Sequence, residues 1–98
     1  MRVLIVGGGG REHALLWRLR RDRPEAEFLA APGNPAMAEY AECVPVPATD
    51  VRALADLAEA RRADLVVVGP EAPLADGLVN LLGDRGIPAF GPTGRAAE

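Results

Sequence analysis

The chain has 98 residues, the length of one domain, and a net charge of −3, which opposes the basic face that nucleic-acid binding requires. Its single cysteine and single histidine exclude an internal disulfide and a zinc site within the chain, which fits a reducing cytoplasm. All eleven basic residues are arginine, so a phosphate-binding P-loop lysine is excluded, and no apolar stretch approaches the roughly 20 residues of a membrane span.

Five short apolar runs bounded by turn residues recur along the chain. They lie at residues 3–6, 28–30, 44–46, 65–68 and 87–90. Short, continuous runs rich in β-branched residues are typical of parallel strands buried on both faces. Stretches with helical spacing of apolar residues follow three of them, at residues 14–19, 51–58 and 74–82. The sequence therefore predicts an alternation of strands and helices.

The residues that can begin and end the helices agree with this alternation. Thr49 or Asp50 can cap the second helix, and Gly86 can end the third before Pro88. Such an alternation predicts one α/β domain over residues 1–98, with a doubly wound parallel sheet of about five strands in the order 3-2-1-4-5. Thr93 could begin a further helix of barely one turn, so we interpret Glu98 as a cut in a longer polypeptide or as the boundary of a disordered segment, with a frayed natural tail as the alternative.

The strongest local motif is the glycine-rich turn Gly7-Gly8-Gly9-Gly10-Arg11-Glu12-His13, which lies between the first strand and the first helix. Glycines allow a sharp turn and close approach of a ligand, and a helix N-terminus offers unpaired N–H groups. The motif therefore predicts a site for an anionic small molecule.

A dinucleotide is the obvious ligand for such a turn, but two positions oppose it. The fingerprint G-x-G-x-x-G, started at Gly7, requires glycine or alanine where this chain has Glu12. The acidic residue that would bind the ribose hydroxyls at the end of the second strand is replaced by Ala30-Ala31-Pro32. We therefore rank NAD below other anionic ligands.

Ligands of open parallel sheets bind beyond the carboxyl ends of the strands, where the connection order reverses. In the order 3-2-1-4-5 the first and fourth strands are neighbours, which predicts Glu71 opposite the glycine turn. A carboxylate there suits ribose hydroxyls or an amine, although it could equally complement a helix dipole. Arg11 could bind phosphate or be a surface residue, and we interpret His13 as a packing residue rather than a general base.

Four motifs in this order resemble one family closely. They are Val6-Gly7-Gly8-Gly9-Gly10-Arg11-Glu12-His13-Ala14-Leu15, Ala31-Pro32-Gly33-Asn34, Val68-Gly69-Pro70-Glu71-Ala72-Pro73-Leu74 and Phe90-Gly91-Pro92-Thr93. Together they resemble phosphoribosylamine-glycine ligase, also called glycinamide ribonucleotide synthetase, over the whole chain. Position 8 departs from the family, which often has Asn or Ser there, and Gly8 would loosen the turn and remove one side-chain contact.

The resemblance implies the Rossmann-like N-terminal domain of a ligase in purine biosynthesis. Such an enzyme joins glycine to phosphoribosylamine with ATP, through a glycyl phosphate. ATP and magnesium or manganese would bind the ATP-grasp part of the same polypeptide, outside this chain, so no cofactor, metal ligand or catalytic residue is expected within it and the chain alone should be inactive. The implied contacts with phosphoribosylamine are Gly9, Gly10, Arg11, Asn34, Gly69, Pro70 and Glu71.

Three other interpretations stay open at this point. The first is the dinucleotide domain of an NAD-dependent oxidoreductase, which Glu12 opposes. The second is the N-domain of a related ATP-grasp carboxylase, which lacks the glycine-arginine-glutamate-histidine run. The third is a free-standing nucleotide-binding module, which the short stretch after Thr93 opposes.

Overall fold

The computed structural model describes residues 1–69 and 75–90, with only the backbone described at Ala75 and Asp76. Within these ranges it contains five strands and three α-helices in alternation, plus a short 3-10 helix at Met37–Glu39. The elements are β1 (Arg2–Gly7), α1 (Gly10–Asp22), β2 (Glu27–Pro32), β3 (Glu42–Cys43), α2 (Val51–Ala60), β4 (Leu65–Val68), α3 (Ala75–Asp84) and β5 (Ala89–Phe90).

The strands form one parallel sheet in the order β3-β2-β1-β4-β5, as the alternation of elements predicts. Strand β1 is central and pairs with β2 on one side and β4 on the other. Val6 stands beside Ala31 of β2 and Val68 of β4, so these three strands reach the same edge of the sheet together. The loops that follow them therefore meet at that edge.

The sheet is buried on both faces, which explains its almost continuous apolar strands. Leu4 and Val6 of β1 point into one core cluster with residues of α2 and α3, while Val3 and Ile5 point into the other with Leu16 of α1. Because successive side chains of a strand alternate between faces, every position of β1 from Val3 to Val6 must be apolar. The helices thus cover both faces, and the doubly wound prediction is confirmed.

Three details differ from the sequence prediction. The third strand is Glu42–Cys43 rather than residues 44–46, because Pro45 and Pro47 have no N–H group to continue the ladder. The last strand is shorter, at Ala89–Phe90. In α1 the buried apolar residue is Leu16, whereas Trp17, which the helical spacing had suggested for the apolar face, is 49% exposed.

The predicted helix boundaries correspond to specific contacts. The Asp50 side chain accepts a hydrogen bond from the Ala53 N–H at 3.1 Å and caps α2, so Asp50 rather than Thr49 is the capping residue. Gly86 follows α3 with φ +73°, the left-handed conformation that favours glycine after a helix. Among helices of the described ranges, none has the length and apolar character needed to cross a membrane.

Candidate ligand site at the β1 and β4 ends

The point where the connection order reverses lies between β1 and β4. The chain runs from β1 outward to β2 and β3, and then returns to place β4 on the other side of β1. The Gly69 N–H donates to the Val6 carbonyl at 2.9 Å, so the first residue after β4 is joined to the end of β1. The glycine turn and the beginning of the β4 loop are therefore neighbours, as predicted.

The glycine turn positions α1 directly against the end of β1. Gly7 has φ +133°, a conformation that side chains rarely tolerate, and it turns the chain out of the sheet. Gly9 is the N-cap residue with extended backbone angles, and α1 begins at Gly10. The first N–H groups of a helix have no intrahelical acceptor, so the turn presents amide donors and the positive end of the α1 dipole.

Glu12 lies in the first turn of α1 and is buried, with only 2% of its surface exposed. Its Oε1 atom accepts a hydrogen bond from the Gly9 N–H at 2.8 Å. Gly9 has no side chain to return a bond, so this is one half of a capping box. The other oxygen, Oε2, has no hydrogen-bond partner among the described residues.

Two glycines provide the space that the Glu12 carboxyl group occupies. A Cβ atom at Gly7 would lie 2.5 Å from Cγ of Glu12, and one at Gly69 would lie 2.6 Å from Oε2. Both separations are far below van der Waals contact. Residues with side chains could therefore stand at neither position without moving the carboxylate, which is enclosed between the ends of β1 and β4.

Asn34 joins the turn after β2 to the glycine turn. Its Nδ2 atom donates to the Gly8 carbonyl at 2.8 Å, and its Oδ1 atom accepts from the Met37 N–H at 2.9 Å. The Gly33 N–H also donates to the Gly7 carbonyl, at 3.1 Å. Asn34 is thus engaged with protein atoms through both polar ends of its side chain, and it positions the two turns relative to each other.

The two turns approach each other most closely at Gly8. A Cβ atom there would lie 2.5 Å from the Gly33 carbonyl oxygen. We expected Gly8 to loosen the turn. In the structure its backbone instead packs tightly against Gly33. A residue with a side chain at position 8 would require the β2 turn to move.

A cavity of about 180 Å³ opens at this edge of the sheet. Its described lining consists of Val6, the three glycines at positions 7–9, Glu12, Ala48 and Gly69. Glu12 is the one residue of this lining with a polar side chain. The cavity thus combines the glycine turn that precedes α1 with one buried carboxylate.

The remaining predicted site residues are distributed as follows. Gly9 and Gly69 line the cavity, while Gly10 and Arg11 are exposed at the first turn of α1 beside it. Asn34 supports the turn from the β2 side. Pro70 and Glu71 lie outside the described residues, as does Thr93, the predicted start of a further helix. Sequence reasoning missed Ala48, and it used Glu12 only to oppose a dinucleotide.

His13 is half-buried and does not line the cavity. Its ring stacks on Tyr40 with 6.2 Å between the centroids, and the Arg20 guanidinium lies 5.1 Å from the Tyr40 ring centroid. This stack agrees with the interpretation of His13 as a packing residue. A metal site finds no support in the described ranges, where no three His, Cys, Asp or Glu side chains are grouped to hold an ion.

Comparison with known proteins adds an independent finding. The family model described as "Phosphoribosylglycinamide synthetase, N domain" matches residues 1–98. Proteins named phosphoribosylamine–glycine ligase are 50% identical over 98 residues in Phenylobacterium zucineum, 50% over 100 residues in Pseudomonas aeruginosa and 50% over 98 residues in Streptomyces coelicolor. Each alignment covers 100% of this chain, which spans only 23%, 23% and 24% of those relatives.

Proposed function

Because the chain belongs to the phosphoribosylglycinamide synthetase N-domain family, we propose that it is the substrate-binding domain of an ATP-dependent ligase. That enzyme joins glycine to 5-phosphoribosylamine and forms glycinamide ribonucleotide in purine biosynthesis. The chain corresponds to about a quarter of the relatives named for this activity, so the activity belongs to the complete polypeptide.

One observation carries the proposal for the site. The cavity at the ends of β1 and β4 is lined by the glycine turn up to the N-cap Gly9 and by the buried carboxylate of Glu12, and the exposed Gly10 and Arg11 of the first turn of α1 lie beside it. Amides at a helix N-terminus suit a phosphate, and a carboxylate suits an amine or a hydroxyl group. Phosphoribosylamine carries all three groups on one pentose, which makes it a better match than an anion alone.

We assign the substrate contacts to the loops at this edge of the sheet. The Gly10 backbone amide, with the Arg11 side chain, would hold the phosphate, and Gly9, whose N–H donates to Glu12, would contact the substrate as part of the cavity wall. Asn34 and Gly69 shape the site, and Pro70 and Glu71 continue the β4 loop in sequence. Glu71 would accept a hydrogen bond from the sugar hydroxyls or from the amine. No catalytic residue is proposed within the chain.

The nucleotide and its metal are proposed to bind elsewhere in the polypeptide. The described residues provide no grouping of metal ligands, and the whole chain has no lysine to hold a triphosphate. ATP with magnesium or manganese would then occupy the ATP-grasp part, and the remaining domains would be the partners of this one. We propose a cytoplasmic location, since the lone Cys43 cannot form an internal disulfide.

Measurement of ADP release tests this function. The complete polypeptide should release ADP only when glycine and phosphoribosylamine are both present, and the 98-residue chain alone should release none. A complete polypeptide that is folded but shows no such dependence would refute the ligase assignment. Release of ADP by the isolated chain would refute the division of roles between the domains.

A further inference from the structure

Glu12 is the one buried charged residue in the described part of the chain, and its environment is unusual for a carboxylate. Oε1 is satisfied by the Gly9 N–H, but Oε2 is enclosed and has no described donor. A buried polar atom without a partner costs free energy, and native structures contain few of them. An acceptor in this state requires a donor from outside the described residues.

The position of Oε2 limits where that donor can come from. Oε2 lies against Gly69, and both Glu12 and Gly69 line the 180 Å³ cavity. The other described residues of the lining contribute only backbone, alanine and valine groups. A molecule bound in the cavity would therefore find this carboxylate as the one polar side chain on the described walls.

The chemistry of a carboxylate selects the group that it binds. An ionised carboxylate only accepts hydrogen bonds, and a phosphate at neutral pH offers few donors and the same sign of charge. A metal ion would need several oxygen or nitrogen ligands, and the described residues group no three such side chains. An amine or hydroxyl group satisfies both the geometry and the charge.

We propose that Oε2 of Glu12 accepts a hydrogen bond from the N–H or O–H group at the anomeric end of a bound pentose phosphate. This inference rests on the proposed function of the site and adds a contact that the glycine-turn motif does not assign. The phosphate would lie at the Gly10 amide and the Arg11 side chain, because the Gly9 N–H is already bonded to Oε1 of Glu12. The negative charge of Glu12 would thereby favour an aminated sugar phosphate over a ligand with a second phosphate at its anomeric carbon.

Substitution Glu12→Gln in the complete polypeptide tests the inference. The amide keeps the shape and the acceptor for Gly9 but removes the charge. By titration calorimetry, the affinity for glycinamide ribonucleotide, whose anomeric nitrogen still carries a hydrogen, should fall about ten- to a hundredfold, the scale of a charge-assisted hydrogen bond. The affinity for inorganic phosphate should stay the same or rise, because a negative charge has been removed.

The control is Glu27→Gln, the same change at an exposed residue at the start of β2, on the opposite edge of the sheet. It should leave both affinities within about twofold of the unmodified protein. Equal affinity of the Glu12→Gln protein for glycinamide ribonucleotide, or equal losses for both ligands, would overturn the inference. If the unmodified protein binds neither ligand, the proposed function itself fails.

A crystal structure of the unmodified complete polypeptide with glycinamide ribonucleotide keeps the test valid if Glu12→Gln does not fold. A ligand nitrogen or oxygen within about 3.2 Å of Oε2 supports the inference. A water molecule or a protein group in that place, with the ligand bound elsewhere in the cavity, overturns it.

Discussion

The side-chain amide of Asn34 donates to the carbonyl oxygen of Gly8 at 2.8 Å, and this bond joins the turn after β2 to the turn after β1. Oδ1 of the same side chain accepts from Met37 and begins the 3-10 helix. The residue that the family resemblance implies as a substrate contact is therefore also a structural link. Its loss should affect both stability and the shape of the site.

We expect Asn34→Asp to lower the free energy of unfolding by about 1–2 kcal/mol, because it keeps the acceptor for Met37 but replaces the donor to Gly8 with a carboxylate. Urea unfolding measures the change. Asn80→Asp, the same substitution at an exposed position of α3, is the matched control and should have little effect. Equal stability of the two variants would contradict the structural role of Asn34.

We expect Gly69→Ala to destabilise the protein by about 1–3 kcal/mol, since the new Cβ atom would lie 2.6 Å from Oε2 of Glu12 and 2.8 Å from the Val6 carbonyl. Gly83→Ala in α3 is the control. A Cβ atom there meets nothing within 4 Å, so the helix should gain up to about 1 kcal/mol. The midpoints of thermal unfolding of the two variants measure the difference. A Gly69→Ala protein as stable as the Gly83→Ala protein would show that the Glu12 carboxylate is not enclosed by Gly69.

We expect NAD to bind this domain no better than adenosine does. Glu12 occupies the place of the third fingerprint glycine, and its carboxyl group lies between Gly7 and Gly69 at the ends of β1 and β4. The second strand ends in Ala31 and Pro32 rather than in an acid. Calorimetric titration with both ligands checks this, and saturable NAD binding in the micromolar range would restore the oxidoreductase interpretation.

We expect Glu71→Gln in the complete polypeptide to weaken phosphoribosylamine binding by roughly 1.5–3 kcal/mol, the scale of a charge-assisted hydrogen bond. ATP affinity should hardly change, because the nucleotide is proposed to bind another domain. Steady-state kinetics with Glu27→Gln as the control provide the measurement. An unchanged Michaelis constant for phosphoribosylamine and an unchanged turnover rate would return Glu71 to a surface acid that complements a helix dipole.

The fold could be predicted because the strands are buried on both faces. Val3 to Val6 and Leu65 to Val68 leave no polar position, and short runs of this kind are typical of parallel strands covered by helices on both sides. The third strand was misplaced because Val44 and Val46 are partly buried against the core beyond the end of β3, and only the Val44 N–H still donates to β2, to the Ala30 carbonyl at 2.8 Å. Their hydrophobicity reflects packing, while the prolines between and after them end the hydrogen-bond ladder.

The site could be predicted only in part. The glycine turn gives its position, since a strand followed by glycines and a helix places amides at the sheet edge. The role of Glu12 could not be predicted, because its burial depends on Gly69, 57 positions later in the chain, which leaves room for the carboxylate. A charged residue in the first turn of a helix usually indicates an exposed dipole-complementing acid.

The location of the bound sugar phosphate is the central claim, and glycine labelling tests it most directly. In the 98-residue chain labelled with [¹⁵N]glycine, titration with ribose 5-phosphate should shift the amide signals of Gly8, Gly9, Gly10 and Gly69. Gly77, Gly83 and Gly86 lie in or directly after α3, and they are internal controls whose signals should not move. Saturable shifts confined to the first group are the result that we predict. Shifts confined to the α3 glycines, or none at millimolar ligand in a folded chain, would contradict a sugar-phosphate site at the ends of β1 and β4.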